Sequence, residues 1–300
     1  MRILVLHPGA LGDIILALPA LDALREHAPG AEVTLAGNRD CLDAVASGHA
    51  ERMLSLATLP LHRLYAAGPL SPQDLGFWRS FDRIISWTGA GDPQFEHNLR
   101  EIHPDVRIAS ARPSPEETRH VSQIFVDSLG LPGRIEAGLA RVSPPAVACR
   151  ETERGAAFAL HPGAGSREKR WPAERFRALA RRLAERGEQV VLFEGPAEAG
   201  LARAVAEGLP EESAGVVSGA GLAELVVILA RCRAFVGNDS GVSHLAAALG
   251  VPTVALFGPT RPEHWAPRGE RVRVLLGRNG RLDEISVEDC LDALAGLAGG

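Results

Sequence analysis

The segment from Gly237 to His244 brings together groups that bind a diphosphate. It follows an apolar run typical of a buried strand, and the residues after it have helical spacing. Asp239 or Ser240 is placed to cap that helix, and Gly241 lets the backbone approach a ligand. Backbone N–H groups and the positive end of the helix dipole favour an anion there. His244 follows one turn later, so the segment predicts a phosphate site; the alternative is a plain capped helix with a packed histidine.

A second candidate phosphate loop runs from His161 to Pro172. It contains Gly163 and Ser166, then basic residues, and Pro172 is typical of the first turn of a helix. Lys169 is the only lysine of a chain that otherwise uses arginine. An ammonium group is a compact, rotatable charge that can pair with a phosphate where a planar guanidinium does not fit. Lys169 is therefore a candidate phosphate ligand, with an incidental lysine as the alternative.

The third segment, from Gly9 to Asp13, is the turn after the first predicted strand. The glycine spacing, with Gly9 and Gly12, does not match the dinucleotide fingerprint, and Asp13 would place a negative charge where a pyrophosphate should lie. A carboxylate at a helix N-terminus is stabilised as an anion and could act as a base for an acceptor hydroxyl. A helix-capping role without chemistry is equally compatible with these residues.

The elements that position these segments alternate regularly between strands and helices. The first half predicts strands at Arg2–His7, Glu32–Ala36, Arg52–Leu56, Arg83–Trp87 and Asp105–Ala109, and helices at Gly12–His27, Asp40–Ala46 and Glu116–Leu129. The second half predicts strands at Ala156–His161, Gln189–Glu194, Ala234–Gly237, Thr253–Phe257 and Arg271–Leu276, and helices at Ala173–Arg186, Glu198–Gly208, Leu222–Cys232, Gly241–Leu249 and Val287–Leu297. This alternation predicts parallel sheets covered by helices on both faces.

The chain is expected to form two α/β domains, each a Rossmann-like doubly wound unit. The proline-rich stretch from Gly130 to Arg154 has little periodicity, and the boundary is placed there, giving domains 1–150 and 151–300. The sequence Leu-His-Pro-Gly-Ala occurs at Leu6–Ala10 and again at Leu160–Ala164, at the end of the first strand of each half. Ligands bind outside the carboxyl ends of parallel strands, so two such edges facing each other would form a cleft.

Composition limits the class of protein. The 300 residues carry a formal net charge of −5, which gives no general basic field for nucleic acid. The four cysteines have neither paired nor zinc-ligand spacing, and we expect no metal or other cofactor. No stretch offers about 18 uninterrupted apolar residues, and the first apolar run is interrupted too early for a signal peptide. We therefore expect a cytoplasmic protein without a transmembrane segment.

The motifs and their order resemble glycosyltransferase family 9, the ADP-heptose:lipopolysaccharide heptosyltransferase family, across nearly the whole chain. The matching segments are Ile3–Val5 with Gly12–Ile14, His161–Ser166 with Lys169, Trp171 and Pro172, Gly195–Glu198, Gly237–Gly241 with His244–Ala248, and Phe257–Thr260. The resemblance implies a two-domain GT-B fold, with the acceptor in the N-terminal domain and the nucleotide-sugar in the C-terminal one. It also implies inverting, metal-independent transfer and a last helix that packs back toward the N-terminal domain.

The resemblance also assigns roles to individual residues. It implies Asp13 as the catalytic base, Lys169, Ser240, Gly241 and His244 around the phosphates, and Glu198 at the ribose. Gly163, Ser166 and Asp239 complete the predicted donor site, and Gly12, Arg112 and His120 are acceptor-side candidates. The donor is expected to be an ADP-sugar, with ADP-heptose implied by the family. The acceptor is a glycan or a lipid-linked glycan, which would bring the protein into peripheral contact with the inner membrane.

Two departures from the family pattern both lie on the acceptor side. His7 and Gly9 stand where many members have Arg and Ser, and the stretch 87–93 does not match the usual segment after the fourth strand. Two other classes of function stay open at this point. A nucleotide-sugar epimerase would need further acid and base carboxylates around the sugar ring, and no matching set is found. A non-catalytic nucleotide-sugar-binding protein would have no use for the lone carboxylate of Asp13.

Overall fold

The computed structural model describes residues 1–144 and 157–298. The chain divides into two compact units, Met1–Gly138 and Leu139–Gly300. The predicted boundary between residues 150 and 151 lies outside the described residues. Each unit contains one parallel sheet with helices, which confirms the predicted fold class of two doubly wound α/β domains.

The N-terminal unit is built on a five-stranded sheet in the order β3-β2-β1-β4-β5. Its strands are β1 (Arg2–Leu6), β2 (Glu32–Gly37), β3 (Arg52–Ser55), β4 (Arg83–Ser86) and β5 (Val106–Ile108). Its helices are α1 (Leu11–His27), α2 (Arg39–Val45), α3 (Pro72–Trp78), α4 (Pro93–Ile102) and α5 (Val121–Ser128). Residues Ile3 to Leu6 of β1 are fully buried, as expected for a central strand covered on both faces.

The C-terminal unit has a six-stranded sheet in the order β11-β10-β9-β6-β7-β8. Its strands are β6 (Phe158–His161), β7 (Val190–Glu194), β8 (Ala214–Ser218), β9 (Ala234–Asn238), β10 (Thr253–Phe257) and β11 (Val272–Leu276). Its helices are α6 (Ala173–Ala184), α7 (Leu201–Ala206), α8 (Leu222–Ala230), α9 (Gly241–Ala248), α10 (Pro262–Trp265) and α11 (Val287–Ala298). Helix α11 packs against α6, β10 and β11; its packing toward the N-terminal domain stays a prediction.

Both sheets reverse their strand order at one point, and these points place the functional loops. In the N-terminal sheet the reversal lies between β1 and β4, where Leu6 is paired with Ser86. In the C-terminal sheet it lies between β6 and β9, where His161 is paired with Gly237. At such a reversal the loops leave the two strands in opposite directions and open a crevice, which is where open α/β sheets bind ligands.

Two predicted helices begin later than expected, because local side-chain contacts replace the first turn. The helix predicted at Glu116–Leu129 begins at Val121, since His120 is its N-cap and accepts a hydrogen bond from the Ser122 amide. The helix predicted at Glu198–Gly208 begins at Leu201, since Glu198 ends a 3₁₀ turn and its carboxylate accepts from the Gly195 amide.

The structure also contains elements that the sequence patterns did not predict. Strand β8 and helices α3, α4 and α10 are short, and the periodicity of such segments is weak. Helices α3 and α4 nevertheless carry clear start signals. Ser71 caps α3 and Asp92 caps α4, and in both cases a proline follows at the first helical position.

Candidate active site

The buried amide of Asn238, the last residue of β9, joins the two predicted phosphate loops of the C-terminal unit. Its Nδ2 donates to the carbonyl oxygens of Pro162 and Gly163 at 2.9 and 3.2 Å. Its Oδ1 accepts from the Trp171 amide at 2.9 Å. The Asn238 carbonyl accepts from the Ser243 hydroxyl in the first turn of α9. The fully buried side chain of Asn238 therefore fixes the loop after β6 and the entry to α6, and its backbone carbonyl contacts the start of α9.

Lys169 lies in this site as an ion pair. Its Nζ donates to Asp239 Oδ2 at 2.8 Å, and its side chain keeps 35% exposure while that of Asp239 has 8%. The ammonium group has three donors, so the contact with Asp239 leaves donors for an incoming oxygen. Asp239 thus orients the lysine beside the N-terminus of α9. The carboxylate of Asp239 was predicted to contact the donor, and the contact that the structure shows is with Lys169.

Glu198 reaches from the loop after β7 to the loop after β6. Its Oε1 accepts from the Gly195 amide at 3.1 Å and lies 3.5 Å from His161 Nε2. A Cβ at position 163 would lie 2.2 Å from the same oxygen, so Gly163 is required for this close approach. The pKa of His161 is lowered mainly by burial, while the nearby Glu198 carboxylate acts in the opposite direction.

The first turn of α9 carries the other predicted donor ligands. Ser240 is the N-cap residue, and its hydroxyl lies 3.4 Å from that of Ser243 instead of capping a backbone amide. Gly241 is half-buried and His244 is buried at 5% exposure. Ser166 is exposed in the loop before Lys169. These positions share the crevice edge with Lys169, but their contacts with a donor stay a prediction.

In the N-terminal unit, Asp13 is half-buried in the first turn of α1. Its Oδ2 accepts from the Ala10 amide at 3.1 Å, which is the helix-capping contact expected of an acidic residue there. A Cβ at Gly9 would lie 2.4 Å from the Asp13 Cβ, so only glycine allows the loop to pack this closely. The structure therefore shows the capping contact, and the role of Asp13 as a base stays a prediction.

His7 lies beneath this loop and was not predicted to contribute. Its Nδ1 accepts from the Gly9 amide at 3.0 Å, and its ring packs at 5.4 Å from both the Trp87 and the Phe125 ring centroids. The ring is fully buried, and its Nε2 has no hydrogen-bond partner among the residues that the structure describes. Burial lowers the pKa of His7 to about 4, so the imidazole is neutral at pH 7. A signal was present in the sequence, since His7 is the histidine of the repeated Leu-His-Pro-Gly-Ala segment.

The acceptor-side candidates have different environments. Gly12 is half-buried in the first turn of α1, next to Asp13. Arg112 is exposed, and its backbone amide donates to the Ser110 hydroxyl at 3.0 Å. His120 caps α5 through its ring, as described above. Their contact with an acceptor stays a prediction.

In residues 1–144 and 157–298, no group of three or more His, Cys, Asp or Glu side chains is arranged to hold a metal ion. Among the helices of these ranges, none is both long and apolar enough to cross a bilayer.

Comparison with known proteins identifies the family. A family model described as glycosyltransferase family 9 (heptosyltransferase) matches residues 103–294. Lipopolysaccharide heptosyltransferase 1 of Pseudomonas aeruginosa is 30% identical over 92% of this chain and 84% of its own. The chain belongs to glycosyltransferase family 9. This confirms the resemblance derived from the motifs.

Other heptosyltransferases match a smaller part of the chain. Lipopolysaccharide heptosyltransferase 2 of Escherichia coli is 39% identical over 36% of this chain. The match spans about a third of the length of each relative. It covers 32% of the Escherichia coli enzyme, 36% of heptosyltransferase 2 of Haemophilus influenzae and 32% of heptosyltransferase 2 of Salmonella typhimurium.

Solved structures support the family 9 fold. The structure of Escherichia coli ADP-heptose lipopolysaccharide heptosyltransferase II has a TM-score of 0.76, with 22% identity over 99% of this chain and 98% of that chain. An iron-containing dodecameric glycosyltransferase from enterotoxigenic Escherichia coli has a TM-score of 0.61, with 15% identity over 99% of this chain and 75% of that chain. At these identities the similarity concerns the fold.

Proposed function

We propose that this family 9 protein is an inverting glycosyltransferase that moves heptose from ADP-heptose to a lipopolysaccharide-core or related glycan acceptor. The observation that carries the proposal is the Lys169–Asp239 pair beside the first turn of α9, at the strand-order reversal of the C-terminal sheet. It combines an oriented cation with the N-terminus of a helix, which is the combination that a diphosphate requires.

The donor contacts follow from the positions of these groups. Lys169, Ser240, the Gly241 backbone and His244 would bind the two phosphates, with Gly163 and Ser166 in the adjoining loop. Glu198 would reach the ribose. ADP-heptose is supported by the relatives, since a solved structure of the same fold is described as an ADP-heptose lipopolysaccharide heptosyltransferase.

Inverting transfer needs a single in-line displacement. The acceptor oxygen forms a bond to the anomeric carbon while the bond from that carbon to the diphosphate oxygen breaks. Asp13 takes the proton of the acceptor hydroxyl, and ADP leaves with the electron pair. Lys169 and the first turn of α9 stabilise the charge that develops on the leaving diphosphate. No metal ion enters this scheme.

The arrangement proposed for the whole protein follows the family. The N-terminal domain takes the acceptor and the C-terminal domain holds the nucleotide-sugar. The protein works in the cytoplasm, in peripheral contact with the inner membrane that presents the acceptor.

The experiment that tests this function is the substitution Asp13→Asn. The amide keeps the shape of the side chain and an oxygen for the Ala10 amide, so folding and ADP affinity should be retained. Turnover should fall by roughly 10²–10⁴, the range for loss of a positioned general base. Melting temperature, ADP affinity by calorimetry and heptose transfer are measured on one sample.

Turnover near that of wild type would leave Asp13 as a helix cap and contradict the proposed role. An epimerised donor as the main product of the wild-type protein would favour the epimerase, and donor binding without conversion would favour the non-catalytic binding protein.

A further inference from the structure

Tyr65, the only tyrosine of the chain, is an exposed aromatic side chain that is nevertheless held in place. Tyr65 is a large hydrophobic residue that is 42% exposed. It ends the 3₁₀ helix Pro60–Tyr65, which precedes α3. An exposed aromatic ring on a loop loses conformational entropy if it is fixed, so the contacts that fix it call for an explanation.

The backbone on both sides of Tyr65 is bound by one buried amide. Asn98 Nδ2, on α4, donates to the carbonyl oxygens of Leu64 at 2.9 Å and Ala66 at 3.0 Å. Asn98 Oδ1 accepts from Gln94 Nε2 at 3.0 Å, and the side chain of Asn98 is buried. This arrangement fixes the direction in which Tyr65 leaves the loop.

The side chain itself has two further contacts. The Tyr65 ring packs on the Phe95 ring, with 4.8 Å between the centroids. Its hydroxyl lies 3.2 Å from Thr88 Oγ1. Thr88 is in turn fixed, since its amide donates to the Ser86 hydroxyl and its carbonyl accepts from the same group. The ring is therefore supported by Phe95 and Thr88 while the residue remains 42% exposed.

This aromatic group lies at the strand-order reversal of the N-terminal sheet. Thr88 follows the end of β4, and the Trp87 amide donates to the Leu6 carbonyl at the end of β1 at 2.9 Å. The Trp87 ring packs on His7, and His7 binds the amide of Gly9, which packs on Asp13. Contiguous contacts thus lead from Thr88 to the proposed base along the edge where ligands of such sheets bind.

We propose that Tyr65 and Thr88 form a binding platform for a sugar ring of the acceptor. A pyranose has an apolar face of C–H groups and a polar rim of hydroxyls. The exposed part of the Tyr65 ring can pack on the apolar face of the sugar, and the hydroxyls of Tyr65 and Thr88 can hydrogen-bond its hydroxyls. Because the ring is ordered before binding, less entropy is lost when the sugar binds. Thr88 lies in the stretch 87–93 that departs from the family pattern, so the platform would contribute to the choice of acceptor. The inference rests on the proposed function.

Since the chain has one tyrosine, protein labelled with ring-¹³C tyrosine gives the NMR signals of Tyr65 alone. The probe is heptose-deficient lipopolysaccharide from which the ester-linked acyl chains have been removed. We expect the Tyr65 signals to shift in a saturable manner with this probe and to stay in place with ADP alone. Signals that do not move at probe concentrations that saturate transfer would overturn the platform.

Kinetics provide the second measurement. Tyr65→Leu keeps an apolar cover on Phe95 but removes the aromatic face, and it should raise the KM for the probe by about tenfold, the loss of one ring contact. The KM for ADP-heptose and the melting temperature should stay near wild type. Tyr65→Phe keeps the ring and should recover most of the acceptor affinity, whereas a structural loss in Tyr65→Leu would also change its melting temperature and its KM for ADP-heptose.

The two proposals can fail separately. If wild-type protein transfers heptose and Tyr65→Leu leaves the acceptor KM unchanged, the platform is wrong and the proposed function stands. If wild-type protein transfers nothing but the Tyr65 signals still shift with the probe, the platform is supported and the transfer function is wrong.

Discussion

Lys169 and Asp239 form a partly buried ion pair, and its effect on ADP affinity depends on whether the lysine also binds the diphosphate. The Asp239 carboxylate orients the ammonium group, but it also places a negative charge near the predicted diphosphate. Asp239 therefore has two opposing effects: it orients Lys169 toward the diphosphate, and it repels the diphosphate. Removing the lysine alone would leave that carboxylate to repel the ligand, which a complete test must separate from the lost hydrogen bond.

Substitution of Lys169 by Ala should weaken ADP binding by roughly 1–3 kcal/mol, the range for a charge-assisted hydrogen bond. Lys169→Arg should recover only part of this, because the planar fork does not replace a point charge. The double variant Lys169→Ala/Asp239→Asn should bind ADP better than Lys169→Ala, because the remaining carboxylate is gone. Calorimetry with ADP measures all three. Unchanged affinity in Lys169→Ala would refute the assignment.

The neutral, buried His7 should make folding sensitive to acid. Its pKa is about 4 in the folded protein and near 6.5 when unfolded, so between these values only the unfolded chain binds the proton. The stability due to this difference is complete above pH 6.5 and is lost as the pH falls toward 4. Between pH 8 and pH 5 the loss should be about 2 kcal/mol in the free energy of unfolding.

The matched variant for this prediction is His7→Asn, which does not titrate and keeps an oxygen that can accept from the Gly9 amide. Urea denaturation at pH 8 and pH 5 should show a smaller loss of stability in the variant than in wild type. Equal losses in the two proteins would mean that His7 is protonated in the folded state.

Two buried side-chain amides, those of Asn238 and Asn98, fix loops between the secondary-structure elements. Asn238 joins the ends of β6 and β9 to the entry of α6, and Asn98 of α4 fixes the 3₁₀ helix that ends at Tyr65. Each amide satisfies backbone groups that no sheet or helix partner reaches. Such side chains convert irregular loops into structures that are rigid before a ligand arrives.

Asn238→Ala should reduce ADP affinity, because it removes the hydrogen bonds that hold the loop from Pro162 to Trp171 against the end of β9. The matched control is Gln123→Ala on α5, where the amide also makes three hydrogen bonds, to Ile135, Asp127 and Ala137. Both variants should lose roughly 1–3 kcal/mol of stability in their own unit. Only Asn238→Ala should lose ADP affinity, by about tenfold or more. Equal ADP affinity in the two variants would show that Asn238 has no role in positioning the loops.

At the scale of the whole molecule, the two units use one topology with different side chains. The repeated Leu-His-Pro-Gly-Ala segment follows the first strand of each sheet, at the reversal of strand order in both. The two histidines nevertheless bond in opposite ways: His7 Nδ1 accepts from the Gly9 amide, whereas His161 Nδ1 donates to the Phe193 carbonyl. Neighbouring loops, not the repeated residues, decide these roles.

The chemistry of the whole protein is proposed to need no metal ion, although one structure of similar fold is described as iron-containing. Lys169 and the N-terminus of α9 can neutralise a diphosphate without a cation. Heptose transfer should therefore persist, within about twofold, after dialysis against excess chelator, since removing a metal used as a Lewis acid would cost far more. Loss of activity that magnesium, manganese or iron restores would contradict this.

The sequence by itself was sufficient for the family, the two doubly wound domains and most of the central strands. Buried parallel strands are continuous apolar runs, and glycine-rich turns mark their ends, so both signals are local. Asp13, Lys169 and the start of α9 could be proposed as site residues because helix N-termini and charged residues can also be recognised locally. The starts of α5 and α7 were predicted too early. His120 is the N-cap of α5, and Glu198 belongs to a 3₁₀ turn that precedes α7.

The tertiary structure decided what these residues contact. The Lys169–Asp239 pair, the three hydrogen bonds of Asn238 and the clamp of Asn98 on both sides of Tyr65 join residues far apart in sequence. Nothing in the sequence distinguishes the pKa of His7 from that of other histidines. In the folded protein, burial beside Trp87 and Phe125 lowers it. Hydrogen-bond partners and desolvation depend on which strand ends become neighbours, and only the strand order of the folded sheets determines that.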